Sequence, residues 1–477
     1  MAPVTSAGPA ATARSDLGFI DPAWRFSPLA ASGFAILAFA LSFPGQLNGD
    51  TLFSLLSAAT PGSANNWHSA TLAWLWQLPA PLLGQPAGAL AVQAVLFGLF
   101  AGMLPRWPAT ARGRAVFGGE LLLRVALAGA AGYVGKDAAI LLLLALAVQL
   151  LRRRATGPLG RGTTIGLVGV GALFLLIKAP NFLTIVAALA LVLPFFVRLG
   201  WRYAGIVVAA FALGSLAVPL NRLVDARIFQ ARDLHPDKQL VLFDLAGISV
   251  RTGHNAFADV AGWPSATLRS PAACYVPYMW DSFAHYMPCG GYATTYDRFD
   301  GALTRQWLRQ IARHPLAYAE HRLSYAGWLL WSSDHDTWGI AGRSSNDATD
   351  PVAMATLRQG MSDLGVQRGV ALWRPSPLTP PFQALERVLF RFPGAGFVGF
   401  FACLAAWLAQ WLRRARGVSL GAVLAASLGA GNAAMLLVCG VADPARYMMP
   451  TLALAYVALL AGLAPPRRTV TTGHDAR

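Results

Sequence analysis

Charge is what this chain has least of. Only 13% of its 477 residues are Asp, Glu, Lys or Arg, against about 25% in a soluble domain. Hydrophobic residues make up 55%, and the mean hydropathy is +0.48. A water-soluble fold of this length cannot hide so much apolar surface, so the bilayer is the expected solvent. Lysine is nearly missing: Lys136, Lys178 and Lys238 are the only three. Arginine carries the rest of the positive charge, a skew that fits a GC-rich bacterial coding sequence and makes each retained lysine informative. Cysteine is scarce, with four residues. No cleavable signal peptide is evident. The first 28 residues are polar or mixed, with Arg14 and Arg25 close to the first apolar run, which reads as a signal-anchor helix. No long internal repeat is visible.

The net charge of +16 does not point to nucleic acid. The basic residues lie in short clusters between apolar runs, the pattern of cytoplasmic loops, with no interleaved basic and aromatic surface. No nucleic-acid partner is expected.

A helix needs about 20 apolar residues to cross the hydrocarbon core. Such runs fall near 29–43, 87–104, 116–134, 136–151, 163–178, 181–197, 203–219, 390–412, 418–440 and 446–463. The expected fold is an all-α polytopic membrane protein of about ten transmembrane helices with a mixed extracytoplasmic domain. Its parts are a cytoplasmic tail (1–28), an N-terminal transmembrane module (29–219), an extracytoplasmic domain (220–389), C-terminal transmembrane helices (390–463) and a cytoplasmic tail (464–477). The run 68–84 is short and broken by Pro79 and Pro81. Arginine clusters at 106–114, 152–154, 198–202, 413–416 and 467–468 all reach the cytoplasm if the N-terminus is inside and 68–84 lies along the outer interface. The same rule makes 116–151 a hairpin, because one long helix would separate Arg112 and Arg114 from Arg152, Arg153 and Arg154.

This topology collects the unusual polar residues on the outer face. They are Asn48, Asp50, Asn65, Asn66, Trp67 and His68; then Lys136 and Asp137; then Lys178 and Asn181; then Asp443, Arg446 and Tyr447. Ionisable groups at membrane helix ends are costly unless paired or used. Each has an ordinary reading. Asp50 fits a helix cap, Lys136 and Asp137 a local pair, Asp443 and Arg446 a salt bridge. Four loops carrying such groups on one face point instead to a site.

The region 220–389 is rich in Trp, Tyr, His and Asp and is expected to fold as a separate cap. It holds Cys274 and Cys289, and an outer, oxidising location makes them a candidate disulfide. No His or Cys pair near them has tetrahedral-zinc spacing, and no metal ligand set is assigned. Asp334, His335 and Asp336 are a weaker candidate for a divalent ion, against the commoner reading of a solvated turn.

The stretch PGQLNGDTLFSLLSAATPGSANNWHSATLAWLWQL resembles the first outer loop of GT-C glycosyltransferases, membrane enzymes that use polyprenyl-phosphate sugars. Asp50 takes the acidic position after the first helix. Trp67 and His68 take that of a His-Pro-Pro element, with Ser69 and Ala70 in place of the prolines. GYVGKDAAI resembles the acidic second outer loop, KAPNFLTIVAALALVLPFF a basic-then-Asn element, and ARYMMPTLALAYVALL the R-Y-x-x-P element of the last helix. The resemblance covers the membrane portion and leaves 220–389 unmatched.

The resemblance implies sugar transfer from a polyprenyl-phosphate donor to an envelope glycan, lipid or protein acceptor, on the outer face of the bacterial cytoplasmic membrane. A carboxylate must take the acceptor proton, a role for Asp50. Cations must hold the phosphate, a role for Lys136, Lys178 and Arg446. His68 and Asp137 would orient acceptor or phosphate, with Asn181 and Tyr447 as further binding residues, and the helices would supply a groove for the prenyl tail. Some relatives use a divalent metal; no organic cofactor is implied. Two other classes stay open: a transporter or lipid flippase, and a non-catalytic assembly protein for envelope polymers.

Overall fold

The computed structural model describes residues 24–43, 45–47, 49–59, 64–105, 110–152, 160–284, 289–331, 379–390, 392, 394–414, 418–441 and 444–463. Among them the chain is mostly helical, with four strands of two or three residues. The first half runs β1 (Trp24–Phe26), α1 (Pro28–Ser42), β2 (Gln46–Leu47), α2 (Gly49–Ala59), α3 (Ala70–Gln77), α4 (Ala80–Leu83), α5 (Ala87–Ala101), β3 (Met103–Pro105), α6 (Ala111–Gly132), β4 (Tyr133–Val134) and α7 (Lys136–Arg152). Then follow α8 (Arg161–Ile177), α9 (Asn181–Val192), α10 (Trp201–Ser215) and α11 (Ala217–Arg227). The cap region holds α12 (Lys238–Thr252), α13 (Pro271–Cys274), α14 (Gly291–Arg313) and α15 (Pro315–Trp331). The chain ends in α16 (Thr379–Phe390), α17 (Ala395–Leu412), α18 (Leu420–Cys439) and α19 (Pro444–Leu463).

Among the described residues, three helical stretches are long and apolar enough to cross a membrane: Trp201–Arg227, Ala395–Leu412 and Leu420–Cys439. At 1.5 Å per residue they measure about 40, 27 and 30 Å. The first continues past the end expected at 219. Shorter apolar helices are Pro28–Ser42, Ala87–Ala101, Arg161–Ile177, Asn181–Phe195 and Tyr447–Leu463. No residue of α10 is buried, although Val208, Phe211 and Leu213 are among its side chains. Such a surface fits lipid and not water. In the run 68–84, α3 has eight residues, about 12 Å, far short of the hydrocarbon core.

The helices α6 and α7 double back on each other. Residues 133–135 make the turn, and Arg152 at the far end of α7 donates to Glu120 of α6 at 3.2 Å. Glu120 also takes Arg124 Nη1 at 3.0 Å, while Arg124 Nη2 donates to the Met103 carbonyl at 2.8 Å. All three side chains are buried. The basic helix ends gather at this end of the bundle. Arg112 donates to the Leu463 carbonyl at 2.8 Å, Gly421 packs on Arg152, and Phe195 meets Trp411 at 5.4 Å.

At the opposite end sits the cap, which is helical with long turns. The disulfide Cys274–Cys289 closes one of these turns; Cys403 and Cys439 are free thiols. The cap core is not closed on itself. Phe243, Phe257, Trp263, Tyr292 and Tyr296 form one apolar cluster with Ala433, Met435 and Leu436 of α18 and Met448 of α19. The region expected to be a separate domain shares this cluster with the helix ends.

A buried charge network fixes this contact. Asp244 Oδ1 lies 2.9 Å from His321 Nε2 and 2.5 Å from Arg322 Nη2. Its Oδ2 accepts from Trp307 Nε1 at 2.8 Å. Arg322 Nη1 donates to the Gly440 carbonyl at 2.7 Å, and Tyr275 OH lies 2.9 Å from His321 Nδ1. Gly247 leaves room for the His321 ring, where a Cβ would collide with it. Removing one partner strands the other charges without water, at a cost of about 3–5 kcal/mol. Asp244→Ala is expected to expose residues 228–331 to limited proteolysis in the purified full-length protein. Burial holds His321 below its ordinary value, with the Asp244 hydrogen bond and charge pulling the other way. As pH falls through about 6.5 the unfolded chain gains a proton that the folded cap resists, so stability is full above that value and declines below it. Proteolysis of the cap should accelerate between pH 7.5 and 5.5, and His321→Gln should remove most of that slope.

Candidate functional site

The site is built around a two-residue pairing. β2 and β4 run parallel, with Gln46 opposite Tyr133 and Leu47 opposite Val134. This sets the start of α2 beside the start of α7. Gly45 precedes the pairing at φ 108°, a conformation open to glycine. The turn is held from both sides. Thr51 Oγ1 donates to the Val134 carbonyl, and the buried Gln93 Nε2 donates to the Gly135 carbonyl at 2.9 Å.

Asp50 occupies the first turn of α2, and Lys136 and Asp137 open α7. Carboxylates in a first helical turn meet the positive end of the helix dipole. Lys136 Nζ lies 3.8 Å from Asp50 Oδ2, a loose ion pair with both groups still partly exposed. His68 enters from the third side. Ser69 caps α3, its Oγ accepting from Leu72 N at 3.1 Å and donating to the Leu176 carbonyl at 3.2 Å. Asp50, His68, Lys136 and Asp137 line one cleft, together with Thr51, Ser54, Ser69, Leu72 and Trp76.

The His68 loop is held from the cap side. Asn65 bridges Arg232. Asn66 Nδ2 donates to Asp233 Oδ1 at 2.8 Å, and Leu234 N donates to Asn66 Oδ1 at 2.8 Å. Trp67 packs on Trp280 at 5.4 Å, with Lys238 Nζ 5.5 Å from its ring centre. Asp233 is held below the usual carboxylate range. Its burial acts the other way and is outweighed by the Asn66 and His235 N–H bonds and the nearby His235 and Arg222.

Lys178, Asn181 and Tyr447 are not among the residues that line this cleft. Lys178 Nζ sits 5.0 Å from the centre of the Tyr447 ring. It is near, because Ser69 holds Leu176 two residues before it. Asn181 is fully buried and donates to the Phe174 carbonyl at 2.7 Å. That bond closes the α8–α9 turn. The side chain of Arg446, and Asn48 and Asp443, lie outside the described residues, as do Asp334, His335 and Asp336. No group of three or more His, Cys, Asp or Glu among the described residues is placed to hold a metal. Thr51, Ser54 and Trp76 were not singled out by sequence. Ser54 follows Asp50 by four residues and shares its helix face; Thr51 and Trp76 carry no such signal.

No family model, curated protein or solved structure matches the chain.

The Asn66 tether has a measurable cost. Asn66→Leu removes its two side-chain hydrogen bonds and leaves Asp233 with fewer donors, about 1–3 kcal/mol of local stability. Amide exchange is expected to accelerate over 64–69 and 231–235, and to stay unchanged in α18.

Proposed function

We propose that this chain is a polytopic membrane glycosyltransferase that moves a sugar from a polyprenyl-phosphate donor to an envelope acceptor. The observation that carries this reading is the meeting of Asp50, His68, Lys136 and Asp137 around one cleft. About ten spanning helices follow if the shorter apolar helices also cross, and the outer side is then the cap side. The gathering of Arg112, Arg152 and the Arg413–Arg414 end of α17 at the opposite end supports a cytoplasmic location for that end.

The chemistry needs a base, a cation and a dry groove. Asp50 takes the proton from the acceptor hydroxyl or amine. The freed electron pair attacks the anomeric carbon, the bond from that carbon to the donor phosphate breaks, and the phosphate leaves on its lipid. Lys136 stabilises the charge that grows on that phosphate, with Lys178 and Arg446 as further cations. His68 and Asp137 orient the reacting groups.

The test uses a deletion strain carrying either Asp50→Asn or Lys136→Ala, read by mass spectrometry of envelope glycans and polyprenyl-phosphate sugars. Loss of a general base lowers a rate by about 10²–10⁴. Asp50→Asn is expected to abolish one glycan modification and let its lipid-linked donor accumulate. Lys136→Ala should show the same profile. If the deletion has a defect that both variants still complement with unchanged glycans and donors, the enzyme reading is lost and a non-catalytic assembly role takes its place.

A further inference from the structure

We infer that α15 lies in the headgroup layer of the outer leaflet and seats the cap on lipid; the inference rests on the membrane reading above. The helix has two faces. His321, Arg322, Tyr325 and Leu329 are buried against the cap core and the helix ends. Gly396 at the start of α17 packs on the backbone of Leu329 and Leu330, and Arg322 reaches the Gly440 carbonyl at the end of α18. This places α15 across the mouths of two helices long and apolar enough to span.

The opposite face carries Leu316, Leu323 and Trp331, which are 78%, 70% and 65% exposed, with Trp328 on its flank at 43%. At 100° per residue the first three fall within about 80° of one another. Glu320 is the one charged side chain among them. A stripe of this kind is costly in water and favourable at a membrane surface, where tryptophan settles at headgroup depth.

Continuity chooses the occupant. The Trp331 ring packs edge-on against Phe397 at 5.4 Å, and Phe397 meets Phe401 at 4.4 Å. Both phenylalanines are exposed on α17. Apart from Glu320, the stripe therefore runs at Trp331 directly into the apolar outer surface of a spanning helix. Arg309 and Arg313, exposed in the last turns of α14, stand at the corner beside Leu316. Their stems can follow the apolar surface while the guanidinium groups meet lipid phosphates.

The test places a nitroxide on the full-length protein in phospholipid nanodiscs, in a background of Cys403→Ala and Cys439→Ala. The label goes in turn on Leu316→Cys, Leu323→Cys, Leu408→Cys on the exposed side of α17, and His254→Cys on the exposed turn after α12. All four positions are exposed, so folding does not depend on them. Access to oxygen is compared with access to a water-soluble nickel chelate. The labels at 316 and 323 are expected to share the oxygen-favoured access of 408, while 254 favours nickel. If 316 and 323 behave like 254 while 408 stays oxygen-favoured, the seat on lipid is refuted and the membrane reading stands. If 408 itself favours nickel, both fall.

Discussion

Two backbone pairings, Gln46 with Tyr133 and Leu47 with Val134, determine where the chemistry of this chain sits. A parallel register fixes which residues lie side by side, and a slip of one residue would turn each side chain to the other face. With the register as found, the residues just past β2 meet those just past β4, so Asp50 arrives within 3.8 Å of Lys136. Neither strand is long enough to hold itself. Side chains from neighbouring helices hold the turn beside it. Thr51 covers the Val134 carbonyl and Gln93 the Gly135 carbonyl. Each bond is worth only about 1 kcal/mol net, but leaving a buried carbonyl unmet costs more. The geometry is therefore guarded mainly by the penalty for breaking it.

The cap extends the same logic from the other side. It grips the His68 loop at Asn66 and Trp67 and grips the helix ends at Gly440. The first contact is made of neutral and singly charged hydrogen bonds near the surface. The second is a buried cluster in which Asp244 answers His321, Arg322 and Trp307 together. Buried ion pairs add little net stability compared with apolar packing, but they are intolerant of misplacement. A joint of this kind fixes orientation. With α15 immobilised at Arg322, the segment leading into α12 returns to the same place over Trp67, and the loop carrying His68 has one position to occupy.

The parts of this arrangement that were legible in the sequence are those that defy their surroundings. Asp50, His68, Lys136 and Asp137 stand out because ionisable groups beside apolar runs need a reason, and the reason is local enough to read from position. Asn181 stood out by the same test and has a different explanation. An amide at a helix start also closes a turn, and only the Phe174 carbonyl reveals which task it performs. Lys178 and Tyr447 are 269 residues apart in sequence and meet through a ring contact that no spacing encodes. The dependence of the cap on α18 was hidden for a related reason. Composition marks 220–389 as mixed, but does not show that Met435 and Leu436 join its apolar cluster. Helix counts suffer from length. The run 203–219 continues to Arg227, and α3 stops at eight residues, because Pro79 and Gly84 end helices that hydrophobicity alone would extend.

The buried cluster of Glu120, Arg124 and Arg152 bears on the choice between transfer and transport. Ionisable groups inside a membrane bundle commonly mark an ion or substrate path, and transporters set them beside broken helices near mid-depth. This cluster has a different character. Arg124 spends its donors on Glu120 and on the Met103 carbonyl just past the end of α5, capping a helix terminus as basic residues do. Arg152 closes the far end of the hairpin on the same carboxylate. Glu120 and Arg124 lie one turn apart within α6, and the cluster sits at the Arg152 end of α7, away from the cleft. A path would need groups that exchange partners along its length. Here the partners include backbone carbonyls, the Gln149 side chain and one shared carboxylate. Asp50 and Lys136 face one another across 3.8 Å at the cleft, partly open to solvent. That exposure is the ground on which we propose a bond-making step at the cleft over passage through the bundle.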